Sequence, residues 1–191
     1  GKVENCQVGV YVGYATRHGY CLLGSRLYVP EIWFSDEYAG RRKRCRFPVD
    51  LTFKTKPQIA AELLEEIAQS GQIPFRYVVA DSVYGNCPKF RKAVESITDV
   101  AYLVGMPNNT QCWLRMKKKK KKGYKHGRVR KTKLILKASE KDPITFDTFA
   151  KSLNKFFWYR RKVSEGTKGP IEYEFTKRQI VLARDGLPED D

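Results

Sequence analysis

Histidine is scarce in this chain. Its 191 residues hold only His18 and His126, and neither belongs to a Cys/His ligand cluster. The five cysteines, Cys6, Cys21, Cys45, Cys87 and Cys112, are odd in number, irregularly spaced and never arranged as CxxC. That pattern supports neither a structural zinc site nor a disulfide framework, and mostly buried thiols in a reducing cytoplasm are its simplest reading. No run of eighteen apolar residues and no signal-peptide pattern occurs, so neither a membrane span nor export is indicated. A glycine-rich phosphate loop is missing too, which leaves a small-molecule α/β enzyme without an anchor for a phosphorylated substrate. The first residue is Gly1, and the last five, Leu187 to Asp191, complete no recognisable element, as expected of a fragment of a longer protein.

Acidic residues are absent between Asp99 and Glu140, and here the positive charge concentrates. Thirteen Lys and Arg lie from Arg115 to Lys137, including Arg115, Lys125, Arg128, Arg130, Lys131 and Lys133. A second patch, Arg41, Arg42, Lys43, Arg44 and Arg46, adds five more. Without these two segments the formal charge of +16 falls to near neutral. Focused positive potential of this kind suits a polyanion, most often a nucleic acid backbone. A solvated basic loop or a localisation tail is the plainer alternative for either patch taken alone.

Residues 76–86 end an apolar run, Tyr77-Val78-Val79-Ala80, on Asp81, with turn residues Gly85, Asn86 and Pro88 following. A carboxylate at the C-terminal end of a buried strand is where open α/β sheets place ligand-binding groups. An Asp there also serves as an ordinary helix cap or turn residue. Before it, Val8 to Tyr14, Tyr20 to Leu23 and Arg26 to Val29 read as an antiparallel hairpin or meander, and Glu31 to Lys54 as a polar, basic connection. Thr55-Lys56-Pro57-Gln58 predicts a capped helix with Ile59, Ala60, Leu63, Leu64, Ile67 and Ala68 on one face, stopped by Gly71. Phe90, Ala93, Val94 and Ile97 predict a second helix, and Ala101 to Val104 a further short strand. The order implies an α/β fold: a mixed sheet with flanking helices, in outline ribonuclease-H-like.

After Met106 the character changes. Lys117 to Lys122 is a low-complexity loop, and a run of six lysines puts the local sequence there in question. Thr145 is placed to cap a helix carrying Phe146, Phe149, Leu153, Phe156 and Phe157, a stripe read as core. Trp158, Tyr159, Arg160, Arg161 and Lys162 then mix aromatic and cationic groups, suited to stacking bases and holding phosphates or simply to ending a helix. Ile171 to Phe175 alternates, and Arg178 to Ala183 reads as a second strand.

Val78-Val79-Ala80-Asp81-Ser82-Val83-Tyr84-Gly85, with Asn108 after the next strand, resembles the second-aspartate region of bacterial insertion-sequence transposases of the DDE superfamily. Trp158 to Pro170 and the strands up to Pro188 are similar to the β-rich insertion that one branch carries before its final glutamate. The resemblance implies that residues 1–107 form part of a ribonuclease-H-like catalytic core lacking its first acidic strand. Residues 108–191 would be a basic loop and β-rich insertion, ending before the final catalytic helix. It further implies Mg²⁺ (or Mn²⁺) dependent cleavage and transfer of DNA at insertion-sequence ends, a homodimer when full length, and a bacterial cytoplasm, nucleoid-associated. Of the three metal-holding acids only the second, Asp81, maps here, so the metal requires acidic partners outside the chain and the fragment alone should be inactive. Asp36, Asp50 and Glu165 stand in no matching context. The alternative is a non-catalytic basic nucleic-acid-binding protein, which gives Asp81 no role.

Overall fold

Val8–Thr16 (β1) and Gly19–Tyr28 (β2) pair antiparallel around a two-residue turn, with a bulge between Val12 and Gly13. The computed structural model describes residues 6–113, 142–184 and 187–189. Gly24-Ser25 does not divide the second strand, so the element is a hairpin rather than a meander. The chain falls into two units, Gly1–Met106 and Pro107–Asp191.

The connection from Glu31 to Lys54, read as polar and basic, is instead organised by aromatic rings. Two 3-10 turns, Glu31–Phe34 and Asp36–Tyr38, lead into the short helix Ala39–Arg44 (α1). Trp33 and Phe34 both pack on Phe47, and Phe34 also meets Phe53 at 5.9 Å between ring centres. The spacing of these rings follows no helix or strand period, which is why the sequence reads as connection.

Helix α2, Lys56–Ser70, forms as its sequence predicts. Thr55 Oγ1 accepts the Gln58 N–H, and the Gln58 side chain accepts the Thr55 N–H at 2.8 Å. Pro57 sits in the first turn, where its missing N–H costs nothing, and Gly71 ends the helix in the left-handed conformation at φ 63°. Ile59, Ala60, Leu63 and Leu64 are buried on one face. They join Val10 of β1, Val78, Phe90 and Val94 in a single core cluster. Burying each of the larger side chains contributes about 1.5–3 kcal/mol.

Strand Tyr77–Ala80 (β3) is followed by the one-turn helix Ser82–Gly85 (α3), helix Pro88–Glu95 (α4) and strand Ala101–Val104 (β4). β3 and β4 pair parallel, Tyr77 opposite Ala101 through to Ala80 opposite Val104. The expected α/β organisation is present, with its antiparallel and parallel parts as separate two-stranded ladders. Between the outer edges of β1 and β3 runs a groove of about 460 Å³, floored by Ala60, Leu64, Ile67 and Phe90. Tyr14 of β1 donates to the carbonyl of Pro74, in the segment leading into β3, at 2.9 Å.

In the second unit Gln111–Trp113 (β5), Ile144–Thr145 (β6), Val181–Arg184 (β9) and Leu187–Pro188 (β10) form a sheet ordered β10-β9-β5-β6. Strands Tyr159–Gly166 (β7) and Gly169–Phe175 (β8) make a separate antiparallel ribbon. Thr145 caps helix Phe146–Ser152 (α5) by accepting the Thr148 N–H. The phenylalanine stripe is not one core face. Leu153 and Asn154 turn extended, Asn154 caps a new 3-10 turn Lys155–Phe157, and Phe156 is left 94% exposed. Residues 178–180 precede β9 and are not part of it, and the partner of β8 is β7. The cysteines also depart from expectation: Cys6, Cys21 and Cys45 are exposed, Cys87 is half-buried, and Cys112 alone is buried. Among the described residues no helix is long and apolar enough to cross a membrane.

Candidate functional site

Asp81 leaves β3 at the point where the chain turns into α3. Its backbone is extended (φ −79°, ψ −175°), and its Oδ1 accepts the N–H of Val83 at 2.9 Å. It is therefore the cap of α3, and its exposed carboxylate is held in a fixed direction. The two sequence readings of this residue, helix cap and presented carboxylate, describe one geometry.

The turn beneath it is packed backbone on backbone. The Gly85 N–H donates to the Asp81 carbonyl at 2.9 Å, and the Gly105 N–H donates to the Ala80 carbonyl at 2.9 Å. A β-carbon on Gly105 would lie 3.0 Å from the Ser82 nitrogen and 3.3 Å from the Asp81 carbonyl carbon. Tyr84 packs on Phe90, ring centres 5.5 Å apart. Burial, and secondarily the charge of Asp81, raise the Tyr84 hydroxyl above the usual tyrosine range. On α4, Arg91 is buried and its guanidinium donates to the Gly85 carbonyl.

Among the described residues no three His, Cys, Asp or Glu side chains cluster so as to hold a metal ion. A magnesium ion takes one or two carboxylates with several waters, and two-metal chemistry needs more than one. The described residues alone do not meet that need.

The basic residues differ in what holds them. Arg42 donates to the carbonyls of Trp33 and Ser35, tying α1 to the aromatic cluster, and Arg41 lies over the Tyr38 ring at 4.7 Å. Lys43, Arg44 and Arg46 pair with no acid among the described residues. On the ribbon, Arg160 faces Glu172 and Glu174, Lys162 faces Glu165, and Arg161 lies over Tyr159 at 5.5 Å. Such exposed pairs are worth at most about 1 kcal/mol and exchange readily for phosphate. Trp158 is half-buried where the 3-10 turn meets β7. Arg115, Lys125, Arg128, Arg130, Lys131 and Lys133 lie outside the described residues, as does the lysine run.

A model of the family described as "DDE superfamily endonuclease" matches residues 1–170, most of the chain. The chain belongs to this family. DDE endonucleases act on DNA and generally use divalent metal ions, so a transposase-like nuclease with DNA as its partner is the function class here. No curated protein and no solved structure matches the chain significantly.

Sequence reasoning missed three parts of the DDE endonuclease's Asp81 turn: Tyr84, Arg91 and the seating of Gly85 against Gly105. One signal for Arg91 was present. Cys87, Phe90, Arg91 and Val94 follow i, i+3, i+4, i+7, so a guanidinium falls on the apolar face of α4. Nothing in the sequence signals the contact between Gly85 and Gly105.

Proposed function

We propose that this chain is the central part of an insertion-sequence transposase, in which Asp81 supplies one of three acidic ligands to Mg²⁺ or Mn²⁺. The observation that carries the reading is the Asp81 carboxylate, exposed and oriented at the end of β3 in a chain of this family. The other two acids come from polypeptide outside these residues. The groove between the edges of β1 and β3, which pair with no strand among the described residues, suits an added strand, because a strand's backbone offers donors and acceptors to both sides. We assign the first acidic strand to that groove, within a core domain of residues 1–107 followed by the insertion of residues 108–191.

DNA lies along Lys43, Arg44 and Arg46, with Arg41 and Arg42 beside them, and along Arg160, Arg161, Lys162 and Trp158. The basic stretch holding Arg115, Lys125, Arg128, Arg130, Lys131 and Lys133 belongs to the same surface by its charge. The full-length enzyme works as a homodimer on transposon ends and target DNA in the bacterial cytoplasm. By itself the 191-residue chain is inactive, since one carboxylate does not organise two metals.

The test is DNA nicking with Mg²⁺ or Mn²⁺ by the chain alone and by a form extended at both ends. Activity is expected only in the extended form, and Asp81→Asn should abolish it. Nicking by the chain alone that disappears in Asp81→Ala would overturn the assignment of the other ligands to outside polypeptide. Full activity of the extended form with Asp81→Asn would overturn the role of Asp81.

A further inference from the structure

Arg91 is the only charged or polar residue buried among the described residues, at 8% exposure, and it stands on the apolar face of α4 between Phe90 and Val94. A buried cation is costly to desolvate, so a protein that retains one has usually bound it to something specific. Here the guanidinium donates to the carbonyl of Gly85, the last residue of α3. Carbonyls at a helix C-terminus lack intrahelical partners and carry partial negative charge, which a cation compensates. The N–H of the same Gly85 donates to the backbone carbonyl of Asp81, whose Oδ1 in turn accepts the Val83 N–H. The buried guanidinium and the carboxylate are thus tied to the same one-turn helix, through hydrogen bonds that share Gly85 and Asp81 along its backbone.

We propose that Arg91 is a positioning residue for Asp81: it holds the Gly85 carbonyl, and through it the one-turn helix that aims the Asp81 carboxylate. The inference deepens the reading of Asp81 as a metal ligand and rests on it for its functional meaning. α3 is a single turn, too short to persist by its own hydrogen bonds, so its direction depends on what clamps its two ends. Asp81 clamps the first and Arg91 the second. On this view α4 contributes to the site without any of its side chains touching substrate or metal.

The test follows backbone amide exchange by NMR in the 191-residue chain, comparing wild type with Arg91→Met, Arg91→Gln and Arg91→Lys. Loss of the guanidinium in the Met or Gln variant should speed exchange at Val83 on the order of tenfold, the equivalent of one hydrogen bond to a charged group. Amides of the β1–β2 hairpin should keep their rates. Arg91→Lys should recover part of the Val83 protection. Should Arg91→Met not fold, Arg91→Gln carries the same comparison. Unchanged Val83 exchange in either folded neutral variant, or acceleration equal to that of the hairpin amides, would overturn the proposal. A separate arm titrates Mn²⁺ into the form extended at both ends, which carries the proposed partner acids, with and without the Arg91 substitutions, and follows broadening of the Ser82 and Val83 signals. Broadening in wild type that weakens in Arg91→Met supports both positioning and metal binding. Selective loosening of Val83 without Mn²⁺ broadening in any form upholds the positioning role and removes the metal reading.

Discussion

A β-carbon added to Gly85 would lie 1.9 Å from the carbonyl oxygen of Gly105. The obstacle is backbone, so the clash cannot be relieved by turning a side chain. Either the turn after β3 or the turn after β4 must move. Gly85→Ala should therefore destabilise the chain by at least the roughly 1–3 kcal/mol typical of overpacking, measured by urea unfolding. Gly105→Ala, whose β-carbon would stand 3.0 Å from the Ser82 nitrogen, should cost less. Equal and negligible losses from both would contradict the described packing.

Asp81 carries a cap and a proposed ligand in one side chain, and two substitutions separate them. Asparagine caps as well as aspartate, so Asp81→Asn should leave stability nearly unchanged, whereas Asp81→Ala should lose about 0.5–2 kcal/mol. Both should abolish nicking by the extended protein. Thermal unfolding beside a nicking assay checks the pair, and a stable but active Asp81→Asn would remove the ligand role.

Four of the five basic residues of the α1 segment should sort into two classes. Replacing Lys43, Arg44 and Arg46 together by alanine should lower the slope of log K against log salt by roughly 0.9 for each phosphate of duplex DNA that is no longer neutralised. Stability should hardly change. Arg42→Ala should lower the melting temperature instead, because it frees the carbonyls of Trp33 and Ser35. Fluorescence anisotropy at several salt concentrations distinguishes the classes, and a salt slope unaffected by the triple variant would remove this patch from the DNA surface.

Tyr84 should make stability fall in alkali. Its folded pKa is raised by burial and by the charge of Asp81, so the unfolded chain loses the proton first as pH rises. The contribution is fully present below the unfolded value, near pH 10, and is lost as pH climbs through the folded value. Tyr84→Phe should flatten this part of the profile, and Asp81→Asn should do so slightly. Urea unfolding from about pH 8 to about pH 11, a range that brackets the titration of an unfolded tyrosine, is the measurement. An unchanged alkaline slope in Tyr84→Phe would contradict it.

Local signals in the sequence identified the elements they govern. The Thr55 to Gln58 capping box, the Gly71 stop, the apolar face of α2 and the strands ending at Ala80 and Val104 all depend on near neighbours and appear where expected. Those two strands are not buried as read: Tyr77, Val79 and Leu103 are exposed, and Ile97, expected on the second helix, lies beyond the end of α4. The element from Glu31 to Lys54 did not, because its order comes from rings brought together across loops. The second helix stripe failed at Leu153 for a related reason: Asn154 competes locally for the backbone and restarts the chain as a 3-10 turn. Alternation along Ile171 to Phe175 marks a strand correctly, yet both of its faces stay exposed. Periodicity reports which side chains share a face and is silent on what covers it.

For the site itself, the sequence by itself determined the carboxylate at a strand end, the concentration of charge and the wording that resembles DDE transposases. Each is written in consecutive residues. The packing of distant segments alone settled that the Arg91 guanidinium holds the Gly85 carbonyl, that Gly85 has no room for a side chain against the Gly105 carbonyl, and that Arg42 is a strut while Lys43, Arg44 and Arg46 have no acidic partner among the described residues. Those distinctions arise between residues separated along the chain and joined by hydrogen bonds or van der Waals contact. No local pattern encodes them, because the partner's identity is set by which segments pack together, β3, β4 and α4 around Gly85 and the aromatic turns around Arg42, and not by the neighbours in sequence.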